Sequence, residues 1–166
     1  MKNSYHASLL AKYGFEKYYK IKDSSITEIS YYKLISLLEN KESFHLVIGG
    51  AWCPNCIAFY PILDEYAKEQ KINVYSYNPR KGYKHKRIND IRFSKTKDTE
   101  QKMQKLSSLL CLDLPLNVNS TYKMSVPIYM PIINGKSVNF WSGEYFPWEI
   151  TEELKEKIKN EIKLLQ

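Results

Sequence analysis

The sequence predicts an α/β protein: a central mixed sheet flanked by helices, with an insertion around residues 80–120 and a single domain over 1–166. Three observations predict it. Apolar strand-like runs at Phe44 to Ile48 and Ile72 to Tyr77 alternate with helix-period stretches. An Asn134-Gly135 pair between two short apolar runs marks a tight antiparallel hairpin. The 166 residues, 43% hydrophobic and 26% charged, match a globular chain able to bury a core.

Taken in order, residues 1 to 12 form a short lead, and Phe15 to Ile21 reads as an irregular edge strand. Ser25 followed by Glu28 has capping-box spacing, which predicts a helix from Ile26 with a stripe of Ile26, Ile29, Leu34, Leu37 and Leu38. Asn40 to Ser43 is the turn into the strand Phe44 to Ile48. Beyond Cys56 the apolar positions Ile57, Phe59, Ile62, Leu63, Tyr66 and Ala67 predict a helix to about Gln70, kinked at Pro61. A strand from Ile72 to Tyr77 ends at Asn78-Pro79.

The polar stretch Arg80 to Lys97 interrupts the pattern and reads as a solvated, mobile insertion. Asp98 with Gln101 caps a helix containing Met103, Leu106, Leu109 and Leu110. Cys111 near its end reads as a small buried hydrophobe, and Asp113 to Lys123 as a connector. Val126 to Met130 begins a strand, Pro131 argues for an edge position or a bulge, and Val138 to Trp141 returns beside it. Thr151, with Glu152 and Glu153 behind it, starts a final helix through Leu165.

Chemistry concentrates at Gly49-Gly50-Ala51-Trp52-Cys53-Pro54-Asn55-Cys56. Two cysteines separated by two residues, behind a strand and ahead of a helix, read as a redox dithiol. Cys53 stands at the helix start, where unpaired N–H groups and the helix field favour a thiolate. Cys56 lies one turn on, within disulfide reach. Pro54 suits the first helical position because its missing N–H is not needed there. Trp52 can wall the dithiol or serve as an ordinary core aromatic.

Other chemistries are less well supplied. A zinc site needs four ligands, and beyond the CxxC the chain has only Cys111 and the scattered His6, His45 and His85, at no recognised ligand spacing. Neither a metal nor a cofactor is expected. The net charge of +7 is concentrated in Arg80, Lys81, Lys84, Lys86, Arg87, Arg92, Lys95 and Lys97, interleaved with Tyr83 and Phe93. That composition is compatible with nucleic acid, but no helix-turn-helix, zinc-finger or RNP signature accompanies it, so nucleic acid is not the expected partner. No apolar stretch reaches membrane-spanning length. The N-terminus lacks a signal-peptide apolar segment, which predicts a cytoplasmic location for a complete chain and an extracytoplasmic one if a signal peptide was removed.

Several of these motifs together resemble the thioredoxin-like family. The family pattern of WCxxC, a helix proline five residues after the second cysteine, a strand-leading proline, an Asn-Gly hairpin seven residues later and a following glycine lands on Trp52, Cys53 and Cys56, then Pro61, Pro127, Asn134-Gly135 and Gly143. The resemblance runs from about Phe15 to the C-terminus, apart from the region around 80–120. It implies a thiol–disulfide oxidoreductase with Cys53 and Cys56 catalytic and a cis Val126-Pro127 bond facing them. Trp52, Val126, Pro127 and Tyr129 would contact substrate, and Pro54 and Asn55 would tune the thiols. The partners implied are a disulfide-containing protein and an electron donor.

Departures shape that expectation. Val47 stands where thioredoxins carry a buried acid, and the uncharged Asn55 supplies no cationic stabilisation, so an intermediate to reducing potential is expected. The long insertion points to a dedicated partner, as in redox helpers of secretion and bacteriocin transport. The opposing reading is a noncatalytic thioredoxin-like interaction module in which the dithiol serves stability or partner choice.

Overall fold

The computed structural model describes residues 19–80, 87–110, 124–143, 146, 147 and 149–166. The sequence expectations for the lead, for Phe15 to Tyr18, for Cys111 and for Asp113 to Lys123 lie outside these. Tyr19, Lys20 and Ile21 carry no strand. Tyr19 instead stacks on Tyr60, ring centroids 4.4 Å apart.

The edge of the sheet is made by the segment expected to open a helix. Ile26–Ile29 is strand β1, paired in parallel with β3 (Val74–Tyr77). Ile-Thr-Glu-Ile is rich in β-branched residues that resist helix and fit a pleated surface. Ser25 is committed elsewhere: its N–H donates to Asp64 Oδ1 at 2.7 Å and its carbonyl accepts from Val74 N, which extends the ladder. The cap belongs to the next serine. Ser30 Oγ accepts from Lys33 N at 3.1 Å and opens helix α1 (Tyr31–Glu39), which buries Leu34, Ile35 and Leu38. Loss of such a cap costs about 1 kcal/mol.

Strand β2 (Phe44–Ile48) follows as expected, with Leu46, Val47 and Ile48 buried. Helix α2 (Pro54–Gln70) continues through Pro61 and ends at left-handed Lys71. The strand expected from Ile72 is shorter, because Ile72 N still donates to Ala67 O and closes the helix exit. Two short 3₁₀ turns, Arg87–Asn89 and Ile91–Phe93, lead to helix α3 (Lys97–Leu110). Its start is set by Thr96 rather than Asp98: Thr96 Oγ1 accepts from Thr99 N, while Thr99 Oγ1 accepts from Thr96 N. This is the capping-box exchange with threonine in place of the usual acid.

Strand β4 (Ile128–Ile133) pairs antiparallel with β2, and beyond the turn β5 (Lys136–Ser137) and β6 (Trp141–Ser142) return along it. Asn134 and Gly135 both have positive φ, 51° and 76°, as a tight hairpin turn requires. Pro131 is not at an edge, since β4 lies inside the order β1-β3-β2-β4-β5. On its outer side Met130 and Pro131 face the stretch Val138 to Phe140, where the returning chain bulges away between β5 and β6. A residue without an N–H fits that gap. Helix α4 (Glu152–Lys163) begins at Thr151, whose Oγ1 accepts from Leu154 N.

The described residues thus form a six-stranded mixed sheet with four helices, consistent with a thioredoxin-like α/β fold. Tyr31 of α1 meets Tyr77 of β3, while Tyr60 of α2 meets the adjacent Ser76. Successive strand residues point to opposite faces, so α1 and α2 cover opposite faces of the sheet. Among the described residues no helix is long and apolar enough to cross a membrane.

Topology decides where the loops meet. β2 and β3 run parallel, so the turn after Ile48 and the turn after Tyr77 emerge at one end of the sheet. β4 runs the other way, so the residues that precede it arrive at that same end. Residues 49–56, 78–80 and 124–127 are brought together there.

Candidate active site

Cys53 is the N-cap of α2, with extended backbone (φ −106°, ψ 120°) and Pro54 in the first helical position. Its carbonyl accepts from Ile57 N, and its own N–H donates to Gly50 O. The cap places the sulfur where the first helical N–H groups have no intrahelical partner. Cys56, one turn later, is fully buried, whereas Cys53 is half-buried; both are free thiols, not bonded to each other.

The two sulfurs are driven in opposite directions. A hydrogen bond from the Cys56 thiol acts most strongly on Cys53 and, with the N–H groups of Cys56 and Asn55 and the charge of Arg92, outweighs burial and brings Cys53 down to about 6. Burial, the hydrogen bond given to Cys53 and the negative charge of Cys53 hold Cys56 well above the ordinary thiol range. Opposite them, the Val126–Pro127 peptide bond is cis, and the Cys53 thiol donates to Val126 O at 3.8 Å.

The outer wall of the site comes from the segment read as a solvated insertion. Of that segment, residues 81–86 lie outside the described ones; Ile88, Asn89, Lys95 and Lys97 are exposed, whereas Arg80, Asp90 and Arg92 are buried and gather beside Trp52. Asp90, fully buried, accepts from Arg80 Nε at 2.9 Å and from Arg92 Nε and Nη2 at 3.1 and 2.9 Å. Arg92 also donates through Nη1 to Met124 O, which ties this segment to the strand-leading loop at Val126. Both guanidiniums lie over the Trp52 ring, 3.8 Å (Arg80) and 4.8 Å (Arg92) from its centroid. The Trp52 indole N–H donates to Asn78 Oδ1, which also takes the Arg80 N–H. Two arginines against one carboxylate leave an excess positive charge beside the thiols.

Sequence reading missed Arg80, Asp90 and Arg92 as site residues. One signal was present: Asp90 is the sole acid between Arg80 and Lys97 and precedes Ile91, an apolar residue that proves buried. An acid placed so is available for internal pairing, and a basic run with an internal acid is not a uniform solvated face.

Of the residues read as substrate contacts, Trp52, Val126 and Pro127 are brought to the dithiol. Tyr129 is not. It is fully buried, and its hydroxyl is held by His45 Nδ1 at 2.8 Å and Gln166 Nε2 at 2.9 Å. His45 sits at the start of β2, so the hydroxyl points away from the dithiol end; alternation on β4 places it in the core. Pro54 is exposed beside Cys53, and Asn55 reaches the Cys53 sulfur through its backbone N–H.

Val47 of β2 is fully buried and lies beside Ser76 of β3 in the strand register. Tyr60 and Ser76 join hydroxyls at 2.8 Å, and Glu28 lies beside Ser76 in the strand register.

No family model and no curated protein matches this chain. Among the described residues no group of three or more His, Cys, Asp or Glu side chains is placed to hold a metal ion.

Proposed function

We propose that the protein is a thioredoxin-like thiol–disulfide oxidoreductase that reduces or exchanges disulfides of a protein partner. The observation that carries this reading is the asymmetric dithiol: Cys53 half-exposed at a helix N-cap with its acidity near 6, and Cys56 buried one turn behind it. Nucleophilic exchange uses the thiolate, and an attacking thiol works best when its pKa lies near the ambient pH.

In the proposed reaction the Cys53 thiolate attacks one sulfur of a partner disulfide. A Cys53–partner bond forms, the partner disulfide breaks, and its other sulfur leaves as thiolate and takes a proton from solvent. Cys56 then loses its proton and attacks Cys53, the mixed disulfide breaks, and the second partner sulfur leaves. The protein ends oxidised and the partner reduced by two electrons; an external dithiol donor restores the pair. Val126, across from Cys53, offers backbone to an extended substrate segment in this reading. The excess charge around Arg80 and Arg92 supplies the cationic stabilisation that the Pro54-Asn55 dipeptide lacks.

The test is a trap. With Cys56→Ser the mixed disulfide cannot resolve, so a partner should accumulate on Cys53 and be released by a small reducing thiol. Wild-type protein supplied with dithiothreitol should reduce a protein disulfide, and Cys53→Ser should not. Absence of both reduction and trapping would leave the noncatalytic module as the reading. The potential of the pair gives direction, with about −270 mV indicating a reductant and about −120 mV an oxidant.

A further inference from the structure

The exchange chemistry leaves one set of groups behind Cys56 without a role. Tyr60 follows Cys56 by four residues on α2, so the two side chains share a helix face. A carbon added to Gly49 would lie 2.7 Å from Cys56 Sγ and 3.0 Å from the Tyr60 hydroxyl, so phenol and sulfur both border the same glycine. The Tyr60 hydroxyl is 2.8 Å from Ser76 Oγ, both residues buried. Glu28 pairs with Ser76 in the parallel register of β1 and β3, so its side chain leaves the sheet on the same face.

We propose that Tyr60, Ser76 and Glu28 form a proton relay for Cys56. The inference rests on the exchange reading and assigns groups to its second step. As Cys56 attacks the mixed disulfide, its thiol proton passes to the Tyr60 oxygen, the phenolic proton passes to Ser76, and the serine proton passes to the Glu28 carboxylate. Each hydroxyl gains one proton and gives one, so the net change is Cys56 thiol plus Glu28 carboxylate to Cys56 thiolate plus Glu28 carboxylic acid. The last transfer, from Ser76 to Glu28, is closed by a rotamer change or one water. Reduction of the internal disulfide returns the proton by the reverse path.

The electrostatics fit these roles. Burial holds the Glu28 carboxyl at about 7, so both of its forms are populated near neutrality. Burial, then the neighbouring Cys56, keeps Tyr60 far above the ordinary phenol range, so it passes protons rather than ionising. The other titratable and charged groups around the relay have their own engagements. Tyr19 stacks on Tyr60; Asp64 is taken by Ser24, Ser25 and Lys68; Cys53 faces Cys56 from the dithiol turn; and Arg92 adds positive charge from the segment before α3.

An aromatic disulfide that releases a coloured thiolate separates the two steps. Its first release reports attack by Cys53, and its second reports resolution by Cys56. In the parent the second phase should accelerate as pH rises through about 7, when Glu28 becomes a carboxylate. Glu28→Gln and Tyr60→Phe should leave the first phase unchanged and slow the second at neutral pH by at least about tenfold, and Glu28→Gln should remove the inflection. Ser76→Ala provides a third variant if Tyr60→Phe does not fold. Second phases within about twofold of the parent at every pH, with no change of profile, would overturn the relay while leaving the exchange reading intact. A parent that shows no first phase would overturn both.

Discussion

The outer and inner halves of the site treat the same functional group in opposite ways. Around Cys53 the chain gathers donors and positive charge: the N–H groups of Asn55 and Cys56, the Cys56 thiol, and Arg92 held over Trp52. Around Cys56 it gathers burial, the Cys53 sulfur and the Tyr60 hydroxyl beside Gly49, and the charge of Arg92 is the least of the influences on it. One helical turn separates a sulfur kept toward thiolate from one kept toward thiol. The difference teaches that asymmetry here is built by tertiary neighbours. The CxxC sets spacing and order, while its surroundings decide which sulfur attacks.

The strongest test of the contrast removes each half's key group. Cys53→Ser should abolish disulfide exchange while barely altering stability, because a half-exposed side chain is replaced by a near-isostere. Asp90→Ala should do the reverse at first: it strands two buried guanidiniums, a change that typically costs about 3–5 kcal/mol, measurable by urea unfolding of the reduced protein. Asp90→Asn, which keeps an acceptor, should cost less. Equal stability of Asp90→Ala and parent would remove the outer wall from the account.

How much of this was legible in the sequence follows from where each signal resides. The dithiol, the helix behind it and the Asn134-Gly135 hairpin are local patterns, and the structure has them in the expected places. Tyr129 and Glu28 were misplaced for one reason: period-2 and capping signals say which residues alternate or could cap, but not which end of a strand a long side chain reaches or which of two serines opens the helix. Ser25 and Ser30 both precede apolar residues, and it is Asp64, 39 residues from Ser25, that claims the first. Arg80, Asp90 and Arg92 were invisible as a unit because their meeting with Trp52 depends on the parallel β2 and β3 ending side by side.

The inner half has its own signature in stability. The native Glu28 carboxyl titrates near 7 against an ordinary value of 4.5, because burial disfavours its charge. Below about 4.5 it is protonated in both states and contributes no penalty. As pH rises from about 4.5 to about 7 the unfolded chain ionises first, the native state holds the extra proton, and stability falls by at most about 3 kcal/mol, less wherever solvent reaches the carboxyl. Glu28→Gln should therefore show little stability difference from the parent near pH 4 and a growing advantage up to about pH 8. A constant difference across that range would place the Glu28 carboxyl in water.

The smallest effect is the most specific to the outer half. Among the causes that lower Cys53, the charge of Arg92 ranks below the Cys56 hydrogen bond and the two backbone N–H groups. Arg92→Gln should accordingly move the pH midpoint of Cys53 alkylation upward from about 6 by less than about one unit, a scale set by about 1.4 kcal/mol per unit. The same substitution loses the bidentate pair with Asp90, so alkylation has to be read under conditions where the variant is folded. Arg92→Lys separates the two contributions, because lysine keeps the charge and loses the fork. If charge is what reaches the sulfur, Lys restores the midpoint without restoring all of the stability; if Lys and Gln shift it equally, the outer wall acts on Cys53 through packing of Trp52 alone.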